Sequence, residues 1–152
     1  MNAISQQRQL HFSTPDDLVA EVNRLRGGYS RNGNWTLPQI CKHLTVAMQG
    51  AMRPGPHPTQ DSPQQQAARP LLESILKNGK IPKGVEAPTH ALPAESCADV
   101  DVDDFLQTVE AFKNFPGPFA PHFRFGHITD EQMRKLQLTH AAHHLSHLVP
   151  AS

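Results

Sequence analysis

Ten of the 152 residues are histidine, and four of them fall within residues 140–147 of the stretch LTHAAHHLSHLV. A neutral imidazole is a common ligand for first-row divalent metals, and two on one helix at i, i+4 point the same way. The stretch offers two such pairs, His140 with His144 and His143 with His147. At about 100° per residue, with His140 at zero, Met133, Leu148, Ala141, Leu145 and Leu138 fall at about 20°, 80°, 100°, 140° and 160°. His144, at about 40°, lies inside that apolar arc, whereas His143 and His147, at about 300° and 340°, lie outside it. The spacing therefore predicts that His140 and His144 face inward. His143 and His147 are expected to face solvent, where a cation near a helix C-terminus is modestly favoured by the helix dipole.

Two imidazoles make an incomplete site, so a third donor is needed on a core-facing position of another helix. His43 meets that condition. With His43 at zero, Ala47 and Ile40 sit at about 40° and 60°, and Lys42, Thr45 and Gln49 gather on the opposite side. Three histidines leave coordination positions open for water or a substrate, which is what makes such a site chemical. A divalent ion held there would lower the pKa of a bound water and so supply a nucleophile. The competing reading is a polar, solvated helix face on a non-catalytic bundle that binds a small ligand or a partner.

Other candidates are weaker. His122 and His127 flank a Phe-rich turn and read as structural. His11, His57 and His90 lie in irregular segments expected to be exposed. Cys41 precedes His43 by two positions, about 200° around the helix, so it reads as a small core residue. Glu110 and Glu73 could act as bases but read as solvated. There is no G-x-S-x-G, no Gly-rich phosphate cradle, no H-E-x-x-H and no C-x-x-C.

The elements that position the histidines follow from capping and period. Thr14, Pro15 and Asp17 open a helix over about 15–26, with Leu18, Val22 and Leu25 inward, and Gly27-Gly28 offers the left-handed conformation that ends helices. The segment YSRNGN is turn chemistry. The box Thr36 to Gln39 launches a second helix over about 37–52, carrying Leu37, Ile40, Leu44, Ala47, Met48 and Ala51. Residues 53–69, rich in Pro and Gln, read as one long irregular connection. A short helix over about 70–77 follows on Leu71, Leu72, Ile75 and Leu76, then a second irregular span. A third long helix, over about 102–114, has Asp101 as its cap and Val102, Phe105, Leu106, Val109 and Phe112 as its buried face. Thr129 to Gln132 opens the last, over about 130–148. With no convincing alternating strand and no internal repeat, the class is all-α: a four-helix bundle with long crossovers.

Length and charge bound the function. The chain, 1–152, is expected to form a single domain. Fourteen Lys+Arg against fourteen Asp+Glu give zero formal net charge, so no long-range field attracts nucleic acid or an anionic membrane. No apolar run approaches the ~18 residues of a spanning helix. Two cysteines and a polar start without a signal-peptide stretch predict a reduced, cytoplasmic protein.

Three segments carry a resemblance: WTLPQICKHL (35–44), GPFAPHFRFG (117–126) and HAAHHL (140–145). In this order they resemble the DinB-like superfamily, within its branch of uncharacterised bacterial domains, and the likeness runs from about Phe12 to Leu148. It implies a bundle connected up-down-down-up, with a long crossover after the second helix. It also implies a divalent metal, nickel or zinc, held by one histidine of the second helix and an H-x3-H pair of the last, which map onto His43, His140 and His144. Characterised members of that superfamily include thiol-dependent transferases and isomerases and metal-dependent hydrolases. The implied activity is a thiol-dependent transfer or a hydrolysis on a small-molecule substrate. Members are often homodimers, and no interface is legible in this sequence.

Overall fold

The computed structural model describes residues 8–82 and 92–151. Among them, six helices and one two-stranded sheet follow the order α1 (Pro15–Arg26), β1 (Tyr29–Arg31), α2 (Leu37–Ala51), α3 (Pro63–Ala67), α4 (Arg69–Asn78), α5 (Asp99–Asn114), α6 (Asp130–Leu145) and β2 (Leu148–Pro150). His90 lies outside the described residues.

The helix starts obey their capping chemistry. The Thr14, Thr36 and Thr129 hydroxyls accept from Asp17 N, Gln39 N and Gln132 N, and each of those side chains accepts in turn from the threonine's own N–H. Each such cap contributes about 1 kcal/mol. The third long helix departs from expectation. Asp101 is not its cap, because α5 begins two residues earlier, and Asp101 instead accepts from Ala98 N at 2.8 Å from inside the first turn.

The four long helices share one core. Leu18, Val22 and Leu25 of α1, Ile40, Leu44 and Met48 of α2, Val102, Phe105 and Phe112 of α5, and Met133, Ala141 and Leu145 of α6 are all buried in a single cluster. Thr45, expected on the polar side of α2, is also buried, its hydroxyl donating to Cys41 O at 2.8 Å. A smaller cluster of Leu72, Ile75, Phe125 and Leu136 fastens α4 to α6. Among the described residues, no helix is long and apolar enough to cross a membrane.

Four further expectations are corrected. The connection after α2 is not wholly irregular, because Ser62, Pro63 and Gln65 cap the short helix α3. The chain is not free of strands: β1 and β2 pair antiparallel, Tyr29 with Pro150, Ser30 with Val149 and Arg31 with Leu148. The last helix therefore stops at Leu145, three residues early, since the ladder takes backbone groups that a longer helix would use. Gly27 closes α1 in the right-handed region, and the positive φ of 136° falls on Gly28.

This small sheet is the clamp behind α6. Arg8 Nε donates to Leu148 O at 2.6 Å and Arg8 Nη2 to Leu145 O at 3.2 Å and Glu21 at 2.7 Å. The Tyr29 hydroxyl accepts from Leu37 N at 2.9 Å, tying the same ribbon to the first turn of α2. The two helices that carry the histidines are thus braced against a common element.

Candidate metal centre

α2 and α6 bring His43, His140 and His144 together. His43 Nε2 lies 3.1 Å from His140 Nε2, and His144 Nε2 lies 3.1 Å from the same atom. One ring nitrogen from each of the three falls within 4.8 Å of the others, with His43 buried and the other two half-buried. The rings meet edge to face, at interplanar angles of 73°, 73° and 74°. Zinc–nitrogen bonds of about 2.0–2.1 Å place two ligand nitrogens about 3.4 Å apart on a tetrahedron and about 2.9 Å apart on an octahedral edge. The two 3.1 Å separations lie between those values. The donor set and its spacing fit a divalent ion.

Electrostatics prepares these groups to ligate. Burial holds the His140 and His144 imidazoles well below their ordinary value, and neighbouring imidazoles push the same way. Both are therefore neutral, the state that binds metal. Trp35 covers the cluster: its ring stacks on His144 at 5.3 Å and 18°, and lies 5.1 Å from His43.

His143 and His147 do not take the solvent-facing places expected of them. His143 is half-buried, its ring 5.1 Å from that of His144 and 5.7 Å from that of His147. His147 lies beyond the end of α6, so helical arithmetic does not apply to it. It folds back on Gly33, where an added Cβ would meet the His147 Cβ at 3.3 Å. Neither belongs to the three-nitrogen cluster. His11 is exposed as expected, while His57 is half-buried with Nε2 3.2 Å from Arg53 O. Glu73 and Glu110 are exposed. Cys41 is fully buried, and burial pushes its thiol up to about 12, so it is inert near neutrality.

The triad lines a cavity of about 420 Å³, a size typical of small-molecule sites. Its walls are mainly apolar, with Ile75, Phe125, Met133 and Leu136 among them. Three polar groups add to these walls: His122, which the sequence marked as structural, and Gln137 and Arg53, which it passed over. His122 Nδ1 accepts from Arg124 N at 3.0 Å and Phe125 N at 3.3 Å, so the neutral ring carries its proton on Nε2. Gln137, one turn before His140, is 3% exposed, and its Oε1 has no hydrogen-bond partner among the described residues. A buried amide oxygen left without a donor costs about 1–3 kcal/mol. The signal was present, because Gln137 falls at about 60° on the apolar arc of α6, where a polar side chain is out of place. The third is Arg53, exposed, whose guanidinium donates to Gly50 O at 2.6 Å and Pro121 O at 3.1 Å.

The wall that includes His122 is held by the crossover. Asp61 accepts from His127 N at 2.8 Å, His127 Nδ1 at 2.6 Å and Arg69 at 2.9 Å, which together hold its carboxyl well below the usual carboxylate range. Gly126 sits between them at φ 72°, and a Cβ there would collide with the Asp61 carboxylate. Gly126→Ala is expected to lose about 2–3 kcal/mol, lowering Tm by about 5–10 °C. Thermal melts that superimpose on the parent protein would show that this turn does not require the left-handed residue.

No curated protein and no solved structure matches the chain. A family model does match, over residues 4–151, and the chain belongs to that family, described as "Protein of unknown function (DUF1569)".

Proposed function

We propose that this chain is a divalent-metal-dependent enzyme of DinB-like type, in which His43, His140 and His144 hold nickel or zinc and a small-molecule substrate enters the adjoining cavity. In this reading the four long helices form one bundle connected up-down-down-up. The observation that carries it is the convergence of three Nε2 atoms, with His140 Nε2 3.1 Å from each of the other two, on one cavity wall. A bound divalent ion supplies Lewis acidity, lowering the pKa of a water or substrate thiol so that a nucleophile exists at neutral pH. The chain's own residues do the rest. Burial keeps His140 and His144 unprotonated. Trp35 shields the cluster on one side. The Nε2–H of His122 is a donor on the cavity wall. Thiol transfer and hydrolysis both suit this arrangement.

Untagged protein incubated with zinc or nickel and then desalted is expected to retain one ion per chain by elemental analysis. Trp35 is the sole tryptophan and stacks on His144, so nickel should quench intrinsic fluorescence with the same one-to-one end point. Protein that retains no ion and keeps its full emission would overturn the metal reading and leave a cavity-bearing helical protein.

A further inference from the structure

We propose that the cavity beside the triad takes an amide-bearing organic anion with an apolar body, its N–H donated to Gln137 Oε1 and its anionic group drawn to Arg53. The inference names a substrate class for the reading above, and rests on it for the assumption that the triad is the reacting centre.

Three independent observations converge. The first is the unpartnered Gln137 oxygen. Its amide is 3% exposed, lines the cavity, and is oriented only by the weak contact of its Nε2 with Met133 Sδ at 3.6 Å. Among the described residues nothing donates to this oxygen, so a donor arriving in the cavity would satisfy it. The second is charge. Arg53 and Arg124 line the cavity and no carboxylate does, among the described residues. The acceptors that Arg53 meets are backbone carbonyls, which leave its positive charge uncompensated. Burial first, and then Arg124 and Arg53, hold the neighbouring His122 below its ordinary value. The third is the wall between these polar points, where Ile75, Met133, Leu136 and Phe125 suit a hydrocarbon body. Exposed Phe123, with the Arg124 guanidinium 5.4 Å from its ring centroid, continues that apolar surface outward.

N-octanoylglycine combines an alkyl chain, one amide N–H and one carboxylate. Titrated calorimetrically into protein kept in EDTA and into zinc-saturated protein, it is expected to bind one-to-one in both, more weakly as salt rises. Its methyl ester and its N-methyl analogue should each bind about tenfold more weakly, the loss of one polar contact. Gln137→Leu should erase the difference between the N–H and N-methyl probes while keeping the parent's circular dichroism, since it replaces an unsatisfied amide. Equal binding of the N–H and N-methyl probes to the parent protein would overturn the proposal. So would an ester that binds as tightly as the acid, or binding that occurs only with zinc, which would mean the carboxylate merely ligates the ion. The two readings fail separately: binding in EDTA without zinc retention removes the metal reading alone, and zinc retention with no probe binding in either sample removes this one alone.

Discussion

His140→Ala is expected to lower zinc or nickel affinity by more than about a hundredfold, the largest effect of any single substitution at the triad. Mutating groups that merely orient a ligand costs 10–100-fold, and removing a ligand outright exceeds that. His140 is the common neighbour, its Nε2 3.1 Å from both of the others, so its loss leaves two imidazoles with no bridging third. His43→Ala and His144→Ala should also lose most of the affinity. His143→Ala and His147→Ala should retain it, because neither ring belongs to the cluster although His143 touches His144. Competition against a chromophoric chelator measures all five. Equal losses at every position would place the ion elsewhere on the chain.

The second large effect concerns acid. Above about pH 6.5 an imidazole is neutral in the folded and unfolded chain alike. Below it the unfolded chain takes up protons that the folded one refuses, so stability falls until the folded-state value is reached. For His122, pushed down to about 4 by burial and then by Arg124 and Arg53, that window runs from 6.5 to about 4. Between pH 7 and 4.5 this ring alone should remove about 2–3 kcal/mol. In metal-free protein His140 and His144 add losses of the same sign, burial again being the first cause. Asn at position 122 retains an oxygen acceptor for Arg124 N and Phe125 N but does not titrate. Urea unfolding of His122→Asn at the two pH values should show a drop smaller than the parent's by about 2–3 kcal/mol. Identical drops would mean that His122 is as accessible to protons folded as unfolded.

Much of the helical frame was legible from local chemistry. Thr14, Thr36 and Thr129 with their partners three residues on mark three helix starts correctly. Reciprocal capping is decided within four residues and needs no tertiary information. Asp101 misled because an acidic residue serves equally as a cap and as an acceptor inside the first turn. The strands were illegible because three-residue segments carry too little alternation, and β1 and β2 are stabilised by each other across the length of the chain. That pairing also displaced His147 from the helical register used to place it.

Residue types and the 3.6-residue period were sufficient to put His140 and His144 on one inward face and His43 on another, because a helix turns by the same angle wherever it lies. What only the tertiary structure decided is that these faces meet with Nε2 atoms 3.1 Å apart. The same holds for the distant turn that brings His122 to the cavity and for the amide of Gln137 left there without a donor. Such meetings depend on how the long connections return the chain, through contacts like Asp61 with His127 that no local repeat encodes.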